Sequence, residues 1–279
     1  MEEYTTHIKA KTGWFDIDLK ELFRYKDLIY LFFKRNYSTR YKQTILGPLW
    51  LILNPLLTVA LQAFVFGRLA GLSTEGSPQF VFYLCSNALW SFFATSLTQT
   101  ANTFTANSAI MGKVYFPRLV MPVSSVLTGL LDFAVQLGML IIIMIGCAVS
   151  GHSFNLGPTL ATAPLILLQT AMLGLGCGII IAALTTKYRD LVILVAFGVQ
   201  LWMYASPVVY SLQLIPENLR ALYLLNPMAP IMECWRSAVI GAGDFLWGPW
   251  GISWITTLVL LTLGVILFSR IEKTFMDTV

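Results

Sequence analysis

Charged side chains are scarce in this sequence: Asp, Glu, Lys and Arg make up 11% of its 279 residues, against roughly a quarter in soluble domains. So few charges exclude an ordinary water-soluble domain. Histidine is scarcer still, and His7 and His152 stand alone, which leaves no pair for a metal site or a hydrolytic triad. The four cysteines, Cys85, Cys147, Cys177 and Cys234, occur singly with no CxxC. They read as small apolar packing residues. A phosphate-cradling GxxxxGK[ST] loop is also missing, because the one Gly-Lys pair, Gly112-Lys113, is followed by Val114. ATP hydrolysis by this chain is therefore not expected. The first 40 residues are polar and basic, without the apolar core of about 7 to 15 residues that marks a signal peptide. The first span is then expected to serve as the insertion signal.

What the chain has instead is apolar length. It is 57% hydrophobic, with a mean hydropathy of +0.72, so its solvent is mostly lipid. A membrane-spanning helix needs about 20 apolar residues. Six segments qualify or nearly qualify: Ile45 to Gly67, Phe80 to Phe104, Leu119 to Val149, Thr159 to Leu184, Leu191 to Tyr204, and Trp250 to Ser269. The fifth is short, and either begins inside the preceding loop or continues past Pro207. With both termini in the cytoplasm, fifteen of the eighteen Lys and Arg lie inside and only Arg68, Arg220 and Arg236 lie outside, a strong positive-inside asymmetry. The net charge of +4 is thus a topology signal, and nucleic-acid binding is not expected.

Residues 1–44 hold nine of the basic residues, interleaved with Leu22, Phe23, Leu28, Ile29, Leu31, Phe32 and Phe33 at mostly helical spacing. This pattern predicts an amphipathic helix lying in the cytoplasmic interface. Residues 45–269 form the transmembrane domain and 270–279 a cytoplasmic tail. Between the fifth and sixth spans, PENLRALYLL opens with Pro216 and is broken by Asn226-Pro227, and PIMECWRSAVIG runs from Pro230 to Gly241. Both are too short to cross a bilayer, which suits two re-entrant or interfacial helices within 207–248 at an outer mouth. The fold class expected is all-α integral membrane.

Asp132 is the clearest anomaly inside a span, because an ionisable group there faces a cavity or a partner. It serves either substrate contact or gating, or else pairs with another helix. Each of the first five spans also holds a glutamine, Gln62, Gln99, Gln136, Gln169 and Gln200; these line a hydrophilic path or hydrogen-bond between helices. Aromatic residues near span ends include Trp50, Phe64, Trp90, Trp202, Tyr204 and Tyr210. They form an interfacial belt or face inward to stack on sugar rings. Gly174, Gly176 and Gly178 permit close helix approach. Two inner loops, Asn107 to Pro122 and Thr185 to Leu191, gather basic and aromatic residues on the cytoplasmic side, where they act as topology anchors or as docking sites for another protein.

Four ordered segments, YKQTILGPLWLILNPLL, KVYFPRLVMP, KYRDL with SPVVY, and LNPMAPIMECWR, resemble the membrane subunit of polysaccharide-exporting ABC transporters of the type 2 exporter class, which handle O-antigen, teichoic acid or capsule. The resemblance covers about Lys34 to Arg236. It implies a six-span permease of the bacterial cytoplasmic membrane that pairs with a second copy of itself and two copies of a separate ATPase, which carries ATP and Mg. A lipid-linked polysaccharide would be the cargo. Lys113, Tyr115, Phe116, Pro117 and Arg118, with Tyr188, Arg189 and Asp190, would couple to the ATPase. Arg35, Arg40 and Lys42 would meet the lipid pyrophosphate at its entrance, and Trp50, Phe64, Trp90, Asp132, Trp202, Tyr204 and Tyr210 would line the path. Glu217, Arg220, Glu233 and Arg236 would form an outer gate, each Glu spaced to pair with the Arg three residues on. A type 2 exporter of drugs or lipids, an ATP-independent flippase and a membrane-embedded glycosyl transferase remain the alternatives.

Overall fold

The structure is a computed structural model that describes residues 19–42, 44–111, 116–185 and 191–275. Helices account for nearly all of it, and no strand occurs among the described residues. At the N-terminus, α1 (Leu19–Arg24) and α2 (Lys26–Tyr41) are followed by a 3-10 turn and α3 (Trp50–Gln62), which ends in a π-helical stretch, Ala63–Leu69. Then come α4 (Gln79–Ala101), α5 (Thr103–Met111), α6 (Val120–Val149), α7 (Ala163–Thr185) and α8 (Leu191–Tyr204). Short helices α9 (Glu217–Tyr223) and α10 (Met228–Ile240) precede the final α11 (Trp247–Phe275).

Five helical stretches are long and apolar enough to cross a membrane: Gly47–Leu69, Gln79–Ala101, Val120–Val149, Pro158–Thr185 and Trp247–Phe268. They fall on five of the six segments expected from hydropathy, and the chain is a multi-pass membrane protein. The remaining segment is α8, whose 14 residues rise only about 21 Å. It stops at Tyr204, and Pro207 stays outside it.

The centre of the bundle is α4, with 78% of its apolar stretch buried against 11% for the first span. It packs on α6, α7 and α10, and α7 packs in turn on α11. Association in lipid depends on close contact more than on water exclusion, and α7 meets this requirement with glycine. A Cβ on Gly178 would lie 2.5 Å from Thr100 and 2.8 Å from the carbonyl oxygen of Leu97 on α4; one on Gly176 would lie 2.8 Å from the Cα of Leu261 on α11. The three glycines on α7 are therefore packing residues. Gln169 adds a polar tie from α7 to α11, accepting from Trp250 Nε1 at 2.7 Å and donating to Ser253 Oγ at 2.9 Å.

A smaller apolar cluster joins α2 to the bundle. Phe32 meets Phe116 and packs with Phe104, Val120, Ile179 and Phe268. Of the helix expected in the cytoplasmic interface, α2 is thus seated on α6, while Phe23 and Leu31 stay exposed.

The two short helices fall where Pro216 and Asn226-Pro227 place their ends. Asn226 satisfies both ends of its amide: Oδ1 accepts from Met228 N and Trp202 Nε1, and Nδ2 donates to Ala205 O and Ser206 Oγ. At the far end of α10, Gly241 takes φ +69° with the carbonyl of Asn155 where a Cβ would stand, so only glycine closes this helix. All but one of the residues of α10 are buried, whereas none of α9 is.

Candidate functional site

Three helices turn polar faces toward one another. Asn54 and Thr58 lie on α3, Asn87, Ser91 and Thr95 on α4, and Asp132 and Gln136 on α6; each set repeats every four residues, so each follows one face of its helix. With Arg40 from the end of α2, Trp50 and Trp90, they line a cleft of about 640 Å³. Asp132 stands twelve residues into α6, or about 18 Å along it, so the cleft reaches well into the bundle. Pro55, inside α3, also lines it. Having no N–H, Pro55 leaves the Leu51 carbonyl, on the same wall, without its helical donor.

Arg40 Nη1 donates to Asp132 Oδ2 in an ion pair that joins α2 to α6. The Asp132 side chain is 9% exposed and that of Arg40 44%, so the carboxylate is the desolvated partner and the guanidinium compensates it from the rim. The second oxygen of Asp132, Oδ1, and Gln136 Oε1 are buried without a hydrogen-bond partner among the described residues. Trp90 is almost fully buried and packs on Phe93 at 5.3 Å between ring centres, while Trp50 is 39% exposed. One cation, several amide and hydroxyl groups, two free acceptors and two indole faces make a surface suited to binding a polyhydroxylated or phosphorylated ligand. Among the described residues no group of three His, Cys, Asp or Glu could hold a metal ion.

Two sets of residues that sequence reasoning kept apart are therefore united. Arg40, expected at a lipid-phosphate entrance, shares the cleft with Trp50, Trp90 and Asp132, expected along a path. The other expected members stand elsewhere. Arg35 donates to Asn107 Oδ1 at 2.7 Å and lies over the Phe32 ring, tying α2 to α5; burial lowers its pKa from the ordinary arginine value. Lys42 is exposed. Phe64 is exposed on the π-helical end of the first span. Trp202 lines a second, apolar cavity of about 530 Å³ with Tyr223 and Asn226, and Tyr210 hydroxyl is hydrogen-bonded to Tyr204 O and Tyr223 hydroxyl. The polar repeats on α3 and α4 were missed, although the four-residue spacing of Asn87, Ser91 and Thr95 was a readable signal.

Residues 27–240 match the family model described as ABC-2 type transporter. The chain belongs to the ABC-2 type transporter family. The match opens at the start of α2 and closes at the end of α10, so the whole cleft of this ABC-2 type protein lies inside it. Among its relatives, an O-antigen export system permease protein RfbA of Klebsiella pneumoniae is 27% identical over 255 residues, covering 90% of this chain and 94% of the relative. A second from the same organism is 28% identical over the same length. One from Myxococcus xanthus is 30% identical over 224 residues, 78% of this chain and 82% of that protein.

Two groups of residues expected to act together in the ABC-2 type protein have unlike surroundings. Phe116 is 5% exposed and packs on Phe32 at 5.7 Å, a contact that holds its loop to the core. Pro117 and Arg118 are half-buried beside it, and Lys113, Tyr115, Tyr188, Arg189 and Asp190 lie outside the described residues. The supposed gate also divides. Glu217 is exposed and forms no ion pair with Arg220, because α9 is a surface helix, whereas Glu233 and Arg236 form a buried pair on α10. Arg236, fully buried, donates to Glu233, to the Pro207 carbonyl and to Ser86 Oγ, and lies 4.6 Å from the Phe82 ring. Glu233 also accepts from Leu212 N at 3.0 Å. This pair is a clamp between α10, α4 and the 207–212 segment. Glu75, which was not expected here, accepts from Ser211 Oγ beside it.

Proposed function

We propose that this chain is the permease subunit of an ATP-driven exporter that carries a lipid-linked polysaccharide outward across the bacterial cytoplasmic membrane. The observation that carries this reading is the cleft: Arg40 at its rim, Asp132 and Gln136 on its wall, and Trp50 and Trp90 beside them. The relatives, named as O-antigen export permeases over nine-tenths of this chain's length, support a cell-surface glycan as cargo. Arg40 suits the phosphate of a lipid carrier through its planar fork of donors.

In this reading α8 is a sixth span, α9 and α10 sit at the outer mouth, and both termini are cytoplasmic, as the distribution of Lys and Arg favours. Two copies of the permease pair with two copies of an ATPase that binds ATP and Mg. The ATPase docks on the inner loops through Lys113, Tyr115, Pro117 and Arg118 and through Tyr188, Arg189 and Asp190, with Phe116 anchoring the first loop from within. Closure of the ATPases would shift these loops and move the cleft between two arrangements.

Purifying the tagged protein gently from its native membrane tests this. A stoichiometric partner with a GxxxxGK[ST] loop is the expected result, and a carbohydrate-binding extension on it would favour a polysaccharide. Absence of any ATPase after crosslinking would overturn the exporter reading.

A further inference from the structure

We infer that Asp132 and Gln136 form a subsite for the hydroxyls of a neutral sugar ring, and this rests on the export reading above. Both residues are more than nine-tenths buried, at 7% and 4% exposure of the whole residue. Each lines the cleft and holds an oxygen that no described residue satisfies, Asp132 Oδ1 and Gln136 Oε1. Orphaned buried acceptors are costly and uncommon, and their usual explanation is a partner that comes from outside the chain. The two residues are one turn apart on α6, with Cβ atoms about 5 to 6 Å apart, a spacing that two hydroxyls of one ring can bridge.

The chemistry of the pair selects among ligands. Both free atoms are acceptors, so the group that meets them must donate, and an anion would be repelled. A cation is disfavoured as well, because Arg40 already neutralises Asp132 through its other oxygen. A neutral polyol remains. The rest of the wall fits one: Asn87 and Asn54 bring amides that both donate and accept, and the indoles of Trp90 and Trp50 offer apolar faces to the C–H side of a ring. Arg40, while paired with Asp132, has a guanidinium group, a type with five donors, which suits a phosphate at the cleft rim. The sugar nearest a phosphate would therefore sit deeper than the phosphate itself.

The test holds the full-length protein in nanodiscs and measures displacement of a fluorescently labelled polyprenyl pyrophosphate by two unlabelled competitors. One is polyprenyl pyrophosphate, and the other is the same lipid bearing a single neutral hexose. Gln136→Met removes one acceptor without touching a charge, and Gln136→Leu removes the same acceptor with a different side-chain shape. Gel-filtration profiles establish that each variant is folded, and either folded variant suffices. Loss of one hydrogen bond should weaken the hexose-bearing lipid about five- to tenfold and leave the sugar-free lipid unchanged. Equal weakening toward both lipids, or none toward the hexose-bearing one, overturns the subsite and leaves the export reading standing. Wild-type protein that binds neither lipid overturns both.

Discussion

The buried charges of this protein have unequal tasks, and the difference follows from what surrounds each one. Asp132 is compensated by an arginine that is nearly half exposed, so solvent reaches one side of the pair. Glu233 is compensated by an arginine with no exposure at all, which fixes the pair permanently. Breaking one side of such a buried pair strands the other charge and costs about 3 to 5 kcal/mol. Arg236→Met should accordingly lower the thermal unfolding midpoint in detergent by many degrees, and an unchanged midpoint would remove the clamp. Glu217→Gln, on the exposed face of α9, should alter stability by less than about 0.5 kcal/mol in the same measurement. Phe116→Ala belongs with the clamp residues: it empties a space against Phe32 and should cost about 3 kcal/mol, so lost export in that variant would report folding and not docking. Glu–Arg spacing was legible in the sequence for both pairs; burial alone separates them.

At the scale of helices, α7 is defined by how near its neighbours come. Gly178 faces the backbone of α4, so Gly178→Ala must push Thr100 and Leu97 away, and Gly178→Val more so. Gly138, on α6, has no atom within 4 Å of the position its Cβ would take. Gly138→Ala should therefore be neutral or slightly stabilising through helix propensity, while Gly178→Val should destabilise by about 1 to 3 kcal/mol. Thermal melts of the two variants side by side measure this, and equal effects would refute the close α4–α7 contact. Hydropathy located these helices to within a few residues because apolar length is a property of the chain alone. Pro216, Asn226-Pro227 and Gly241 act on the local backbone and lie near the ends of α9 and α10, although α10 begins at Met228, two residues before the expected Pro230. Hydropathy did not reveal that α10 is a buried element and α9 a surface one, for their neighbours come from α4, α7 and α11.

For the whole molecule, the first span is the telling element. Only 11% of its apolar stretch is buried, and it supplies one wall of the cleft. Pairing of two copies, as proposed, would cover such a surface. Native mass spectrometry of the protein released from nanodiscs should then show two copies of the 31.1 kDa chain, and a single copy under mild conditions would argue against the dimer. Arg118→Ala should reduce both co-purification of the ATPase and surface glycan; retained export in that variant would move the docking site away from the first inner loop. What the sequence by itself determined was the solvent, the positions of the spans and the lack of a phosphate loop, because these depend on composition and on neighbours along the chain. What only the tertiary structure decided was which polar residues share a space. Arg40 and Asp132 are separated by 92 positions and by three helices, and no periodicity links them. They meet because α2 folds back on α6 through Phe32, a contact made by packing and not by pattern.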